Sequence, residues 1–195
     1  MQIIGLTGNY GMGKSAVLSM FRDSGAVTLN TDRIVKILLT EKDVLIKIRW
    51  LLGDDVFDEN GGLNKEQVAK TIFNNRELRH LLEDILHPLV FEKIDDFLNK
   101  MDDTEGVVII EAPVLFERGY EGRFDRTITV HTKEDVALTR LEKEGIDREK
   151  AFLILKAQLP IEEKIKRADF VIDNNGTLEE TRVQVKKIYE SLLKK

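Results

Sequence analysis

The chain has 195 residues, a formal net charge of −5 and no cysteine. This length predicts one domain, and the lack of cysteine excludes disulfides, thiolate nucleophiles, iron–sulfur clusters and cysteine zinc sites. Proteins that bind nucleic acid or anionic lipid usually carry a basic excess, so we expect neither as a partner. No apolar run reaches the roughly 18 residues of a membrane-spanning helix. No signal peptide precedes the first apolar run, so we expect a cytoplasmic protein.

Apolar runs typical of buried strands alternate with helical periodicity along the chain. The predicted strands cover residues 2–6, 26–29, 107–111, 126–130 and 170–172. Strands that are separated by helices pair in parallel with right-handed crossovers. The pattern therefore predicts an α/β three-layer sandwich with a five-stranded parallel sheet.

Two helical stretches, at about 43–101 and 147–168, are too long for simple crossovers. We expect them to cap the carboxyl edge of the sheet, where open α/β sheets bind their ligands. Within the first stretch, Pro88 predicts a kink or a break. Near the end of the chain, Thr177 and Glu180 predict a capping box that starts a closing helix.

The segment Gly8-Asn9-Tyr10-Gly11-Met12-Gly13-Lys14-Ser15 matches G-x-x-x-x-G-K-[ST], the P-loop motif. Its glycines let backbone N–H groups point into one concavity, and the following helix directs its positive end there. Lys14 then reaches the β- and γ-phosphates of a nucleoside triphosphate, and the Ser15 hydroxyl ligates Mg²⁺. The motif follows a predicted strand and opens a predicted helix, so it predicts a P-loop NTP hydrolase-like fold. The predicted nucleotide-binding residues here are Gly8, Asn9, Tyr10, Gly11, Met12, Gly13, Lys14, Ser15 and Ala16.

Two carboxylates follow predicted strands. Asp32, just after the second strand, is placed to accept a proton from an acceptor hydroxyl and to help hold the metal. It equally suits a helix N-terminus, where a carboxylate stabilises the helix dipole. Glu111 ends the third strand, where it either contacts the metal through water or forms a solvated strand end. Pro113 then directs the chain out of the sheet.

Among the cations, Arg140 is the one that we expect to complete a phosphate site, because it lies on the helix after the fourth strand. Neighbouring acids nearly neutralise three others, which we expect on a surface helix: Lys164, Lys166 and Arg167. The histidines lack a second histidine or acid at ligand spacing, so we expect no zinc site.

Thr132-Lys133-Glu134-Asp135 resembles the guanine-reading motif of GTPases, [NT]-K-x-D. A GTPase switch also needs Asp-x-x-Gly directly after an earlier strand, whereas the third strand ends in Glu111-Ala-Pro-Val. We therefore interpret residues 132–135 as a helix N-terminus with Thr132 as its cap.

The wider pattern, from Gly5 to Gly176, resembles the dephospho-CoA kinase family. The motifs that carry this resemblance are Gly5-Leu-Thr-Gly8, Asn30-Thr-Asp32 in place of Asp-Ala-Asp, Leu86-His87-Pro88-Leu89, Glu111-Ala-Pro-Val-Leu-Phe-Glu117, Ala157-Gln158, and the run from Ala168-Asp169 to Asn175-Gly176. The resemblance implies transfer of the γ-phosphate of ATP to the 3′-hydroxyl of dephospho-CoA, the last step of coenzyme A biosynthesis, with Mg²⁺ as cofactor.

The same resemblance implies one kinase unit over 1–195, a monomer or weak oligomer. Its implied parts are a core at about 1–40, 104–145 and 168–195, a helical acceptor-binding insertion at about 41–103 and a lid at about 146–167. The implied roles are catalysis by Asp32, Lys14 and Arg140, metal binding by Ser15 and, through water, Glu111, and adenine contact by Asn175 and Gly176. The implied substrate contacts are Thr7, Asp32, His87, Pro113 and Leu115.

The chain departs from the family pattern at a few positions. Asn9 and Met12 stand where small residues are usual; Asn9 tolerates a positive φ, and Met12 needs only its backbone N–H. Asn30 replaces the first acid of Asp-Ala-Asp, and Lys143 stands where an arginine is expected. Two other functions remain open: another small P-loop kinase, such as a nucleoside monophosphate kinase, and a nucleotide-binding regulatory switch.

Overall fold

The computed structural model describes residues 1–73, 75–101 and 106–194. Within these residues, five parallel strands form one sheet in the order β2-β3-β1-β4-β5. The strands are β1 (Gln2–Thr7), β2 (Val27–Asn30), β3 (Val107–Glu111), β4 (Arg126–His131) and β5 (Phe170–Asp173). The predicted five-stranded parallel sheet is confirmed.

Helices alternate with the strands. In the described residues they are α1 (Lys14–Asp23), α2 (Thr31–Leu38), α3 (Lys42–Leu52), α4 (Lys65–Phe73), α5 (Arg76–Asn99), α6 (Glu134–Lys143), α7 (Arg148–Lys156), α8 (Ile161–Arg167) and α9 (Leu178–Leu193). Short 3-10 helices lie at Asp54–Val56 and Glu121–Arg123.

The sheet is the core of the first of two compact units, Met1–Asn30 with Asp103–Lys195. Helices lie on both sides of it: α1 and α9 pack against each other and against strands, and α8 packs against β4. All five residues of β3 are therefore buried, which explains why its sequence is an unbroken apolar run up to Glu111. Leu6 and Asn30 both lie opposite Glu111 in the sheet register, so the carboxyl ends of β1, β2 and β3 meet at one edge.

The second unit, Thr31–Asp102, is helical. Helices α2, α3 and α4 each pack against α5, its longest helix. The helix α5 continues through Pro88, so of the predicted kink or break the break does not occur. Proline removes one hydrogen bond from a helix, but Leu82, Leu86, Val90 and Ile94 form a buried stripe at four-residue spacing on both sides of it. Burial of this stripe holds the two halves in one helix.

The sequence predicts the N-caps of two helices, and the structure confirms one and contradicts the other. The capping box of α9 is confirmed, because Thr177 and Glu180 exchange both side-chain-to-backbone hydrogen bonds. The predicted cap of α6 is wrong: its N-cap residue is Lys133, without a side-chain cap. Thr132 instead donates its hydroxyl to Asn175 Oδ1 at 2.9 Å. Thr132 therefore bonds a residue that follows the neighbouring strand β5, and not the backbone of its own helix.

Candidate active site

The loop between β1 and α1 has the backbone conformation that its glycines allow. Gly8 has φ 150° and Gly13 has φ 89°. A Cβ at Gly8 would lie 2.3 Å from Val130 O, and one at Gly13 would lie 2.2 Å from Asn174 Nδ2. Both positions therefore require glycine. No side chain caps the start of α1 at Gly13, so the loop and the first turn of α1 form the backbone arrangement that binds phosphate at a helix N-terminus.

Lys14 begins α1 and folds back over the loop. Its Nζ donates to Asn9 O at 3.2 Å. The same carbonyl accepts the backbone N–H of Met12 at 3.3 Å. Ser15 and Ala16 follow on the exposed side of the first helical turn. The predicted phosphate-binding residues thus lie together in one loop and one helix start.

Asn174, directly after β5, joins the loop to helix α9. It is 3% exposed. Its Nδ2 donates to Met12 O at 2.9 Å, and its Oδ1 accepts from the Thr181 hydroxyl at 2.9 Å. The sequence predicts a role for Asn175 and Gly176 but not for Asn174. The signal was present, because Asn174 lies inside the Ile172-Asp173-Asn174-Asn175-Gly176 motif.

Arg140, on α6, reaches the same place. Its Nη2 donates to Asn174 O at 2.9 Å. Its Nη1 would lie 3.3 Å from a Cβ at Gly13, and this nitrogen is buried without a hydrogen-bond partner in the described part of the chain. A buried guanidinium nitrogen without a partner is costly. A phosphate oxygen is the acceptor that it fits best.

Asn175 and Asp173 order the turn after β5. Asn175 Oδ1 accepts the Thr132 hydroxyl and, at 2.7 Å, the backbone N–H of Lys133. Burial opposes ionisation of Asp173, but hydrogen bonds from the backbone and side chain of Asn175 outweigh it and hold the pKa of Asp173 below its ordinary value. The turn is therefore fixed by charge-assisted hydrogen bonds next to the loop anchored by Asn174.

Glu111 ends β3 and is 2% exposed. Its Oε2 accepts from Asn30 Nδ2 at 2.7 Å, so the residue that replaces the first acid of the family pattern holds this carboxylate. Glu111 and the Ser15 hydroxyl offer the oxygen ligands that Mg²⁺ prefers. Within residues 1–73, 75–101 and 106–194, no three or more His, Cys, Asp or Glu side chains group as a metal site.

The expectation that Lys164 lies on a helix surface is wrong. Its side chain is 0% exposed, and its Nζ lies 2.6 Å from Glu117 Oε1. Nζ also donates to Pro113 O at 3.2 Å, and the Thr7 hydroxyl donates to the same carbonyl at 3.1 Å. Burial lowers the pKa of Lys164, while Glu117 opposes that shift. Leu115, in the same connection after β3, is fully buried.

The other two cations of α8 are also paired. Arg167 bonds Glu121 and donates from Nη1 to Phe116 O at 3.2 Å. Lys166, largely exposed, pairs with Glu163 at 2.8 Å. Lys166 and Arg167 are both exposed and therefore fit the predicted surface helix.

Two predicted site residues belong to the second unit. Asp32 lies in the first turn of α2 with an exposed side chain, two residues after the end of β2. His87 lies on α5 and is half-buried.

A P-loop after the first strand of a parallel sheet with the order 2-3-1-4-5 defines a P-loop kinase fold. The family model for dephospho-CoA kinase matches residues 2–180. The chain therefore belongs to the dephospho-CoA kinase family.

Individual relatives agree with this family. The chain is 37% identical to the dephospho-CoA kinase of Aquifex aeolicus over 193 residues, which cover 98% of each chain. Among solved structures, it resembles TT1252 from Thermus thermophilus with a TM-score of 0.87 and 31% identity, covering 100% of this chain and 98% of the other. It also resembles the dephospho-CoA kinase of Campylobacter jejuni, with a TM-score of 0.70, 26% identity and coverage of 98% and 97%.

Among the described residues, no helix has the length and apolar character needed to cross a bilayer.

Proposed function

We propose that this chain transfers the γ-phosphate of ATP to the 3′-hydroxyl of the ribose in dephospho-CoA, which gives coenzyme A and ADP. The observation that carries this proposal is Arg140 Nη1, buried beside the phosphate loop without a hydrogen-bond partner among the described residues, in a member of this family. The activity is a phosphotransfer to an alcohol.

The triphosphate is bound by the loop Gly8–Ser15. Its backbone N–H groups and the start of α1 receive the β-phosphate, and Lys14 exchanges Asn9 O for phosphate oxygens. Arg140 Nη1, buried beside Gly13, gains the acceptor that it lacks. Both cations stabilise the charge that moves onto the leaving ADP. Asn175 and Gly176 contact the adenine.

Mg²⁺ fits the oxygen ligands of this edge of the sheet. The Ser15 hydroxyl would hold the ion directly, and Glu111 would hold it through water. A bound ion would supply charge neutralisation at the phosphates and polarisation of the transferring group.

Asp32 is the general base. Its position directly after β2, at the start of α2, supports this role. As the 3′-oxygen bonds to the γ-phosphorus, the hydroxyl proton passes to the Asp32 carboxylate. The bond from the γ-phosphorus to the bridging oxygen breaks, and ADP leaves with its electron pair.

The acceptor is held by Thr7, His87, Pro113 and Leu115 together with the helical insertion at about 41–103, and residues 146–167 form the lid. We place the enzyme in the cytoplasm, as a monomer or weak oligomer. These assignments rest on the family pattern in the sequence.

The deciding experiment incubates the purified chain with Mg²⁺, ATP and dephospho-CoA and follows the acceptor by mass spectrometry. We expect a gain of one phosphate on the ribose 3′-oxygen. AMP, CMP and UMP serve as competing acceptors, and GTP as a competing donor. Faster consumption of ATP with any nucleoside monophosphate than with dephospho-CoA would contradict the proposal.

A further inference from the structure

The tip of the phosphate loop is attached to the linker between α7 and α8, residues 157–160. Asn9 Nδ2 donates to Leu159 O at 3.1 Å. The backbone N–H of Tyr10 donates to Gln158 Oε1 at 2.8 Å. Two consecutive loop residues thus bond to two consecutive linker residues, and all four belong to the same compact unit.

Asn9 is placed for this contact. Its side chain is 4% exposed, and its Oδ1 is buried without a hydrogen-bond partner among the described residues. An unpartnered buried oxygen carries a free-energy cost. The opposite amide orientation would turn that oxygen towards the carbonyl oxygen of Leu159, so the bond from Nδ2 fixes the side chain.

Met12 attaches the loop to the same segment by apolar contact. It is 3% exposed and belongs to a small hydrophobic cluster with residues of α6 and α7, among them Leu141 and Leu155. Ile146, just before α7, and Ile161, the first residue of α8, pack against this cluster. Met12 therefore contributes its side chain as well as its backbone N–H, because the side chain joins the loop to the region around α7.

The Tyr10 N–H that bonds Gln158 belongs to the same planar peptide group as the carbonyl oxygen of Asn9. This oxygen accepts from both Lys14 Nζ and the Met12 N–H. The attachment of Asn9 and Tyr10 to the linker therefore sets where Lys14 is held before ATP arrives. Preorganisation of this kind lowers the cost of ordering a site on binding.

We propose that Asn9 and Gln158 are positioning residues: together they clamp the tip of the phosphate loop to the α7–α8 linker and so hold Lys14 in position for the triphosphate. The proposal deepens the proposed kinase function and rests on it for ATP as the ligand. It assigns the linker a role in donor binding that does not depend on a cation of α8, since Lys164 and Arg167 are paired elsewhere.

The test measures ATP binding by calorimetry, which needs no acceptor, for Gln158→Met, Asn9→Ala and the double variant. Each hydrogen bond is of modest strength, so we expect each single change to weaken ATP binding roughly three- to tenfold. Because the two bonds clamp one element, the double variant should bind only slightly more weakly than either single variant. Lys187→Met, at an exposed position of α9, should leave ATP affinity unchanged.

Two further readouts separate positioning from general structural damage. Amide exchange at Tyr10 should accelerate in Gln158→Met and stay slow in Gln158→Glu, which keeps an acceptor oxygen. The KM for ATP should rise in Asn9→Ala and Gln158→Met while the KM for the acceptor and the melting temperature stay close to the unmodified chain.

Three results would overturn the proposal: unchanged ATP affinity in both single variants, independent losses that multiply in the double variant, or parallel increases of both KM values. Failure of the kinase function looks different. In that case the unmodified chain binds ATP, the variants bind it more weakly, and dephospho-CoA still gains no phosphate.

Discussion

The phosphate loop and helix α8 each contain a lysine that bonds a backbone carbonyl, yet the two lysines differ in burial and in their partners. Lys14 donates to Asn9 O, and Lys164 donates to Pro113 O, both at 3.2 Å. Lys14 is half-buried at the start of α1 and its carbonyl partner belongs to its own loop. Lys164 is completely buried and lies against the Glu117 carboxylate.

The two lysines therefore differ in their surroundings: Lys164 is buried against a carboxylate, and Lys14 lies at the start of a helix. A lysine whose charge is compensated inside the protein holds two elements together, here α8 and the connection after β3. Lys14 lies beside the backbone N–H groups at the start of α1, where the positive end of the helix attracts an anion. Replacement of each lysine should therefore affect a different measurement.

We expect the largest effect on turnover from a substitution of Asp32, the proposed general base. Asp32→Asn keeps the shape of the side chain and removes its ability to accept a proton, so turnover should fall roughly 10²- to 10⁴-fold with ATP affinity nearly intact. Steady-state kinetics and calorimetric titration with ATP measure the two quantities. Glu190→Gln, exposed on α9, is the charge-matched control. Unchanged turnover would leave Asp32 with only the role of a helix N-terminal acid.

Lys14→Ala is the direct test of the phosphate-loop lysine. Loss of a charge that contacts the transferring phosphate should lower kcat/KM roughly 10²- to 10³-fold, by analogy with removal of a transition-state hydrogen-bond donor. Unlike Asp32→Asn, it should also weaken ATP binding, because the charge acts on bound phosphate before the reaction. The melting temperature should change little. Wild-type ATP affinity would be incompatible with a phosphate-binding role for this lysine.

Lys164→Ala should show the reverse pattern. Removing one partner of a buried ion pair leaves the other charge unpaired, and because Glu117 is still 19% exposed we expect about 3 kcal/mol of lost stability, the lower end of the usual range. Urea unfolding measures it. The double variant Lys164→Met with Glu117→Gln removes both charges and should regain most of the loss. A double variant as unstable as Lys164→Ala would show that the charge pair is not the cause.

The two lysines also show what the sequence could reveal. Lys14 was identified because its neighbours in the chain define its environment, and the strands were predicted because burial on both faces leaves an apolar run. Lys164 was misassigned because the local sequence offers Glu162 and Glu163 as partners, whereas its real partner, Glu117, follows a different strand.

The sequence does not reveal the hydrogen-bond partners of Asn174 and Thr132, because these partners also lie far away in the chain. Asn174 bonds Met12 and accepts from Arg140, and Thr132 bonds Asn175; each pair joins the ends of different strands or helices. Chain-local rules such as capping cannot rank such partners, because the sheet order that brings them together comes from the whole fold. Membership of a family motif was the only sequence signal for Asn174.

We expect the smallest effect on stability from a substitution of Asp169, a partly exposed carboxylate in the unit that contains the sheet. Asp169 accepts from the N–H and hydroxyl of Thr127 at 2.8 and 3.0 Å and pairs with Arg126 at 3.1 Å. Burial alone would raise the pKa of Asp169, but these hydrogen bonds and the charge of Arg126 outweigh it, so the pKa lies below its ordinary value. The ionised form is thus favoured by folding.

A carboxylate whose pKa is depressed in the folded state stabilises the protein above its unfolded pKa, and the contribution disappears as the pH falls through the folded value. Asp169→Asn should therefore reduce stability by less than about 1 kcal/mol at neutral pH, since the side chain is 34% exposed and solvent screens the pair. The difference between the two proteins in urea unfolding should shrink as the pH drops below about 4, the ordinary pKa of aspartate. A difference that stays constant down to pH values well below that point would mean that the carboxyl group contributes through its shape and hydrogen bonds and not through its charge. In that case Asp169 would differ from Lys164, whose contribution to the fold depends on a charged partner.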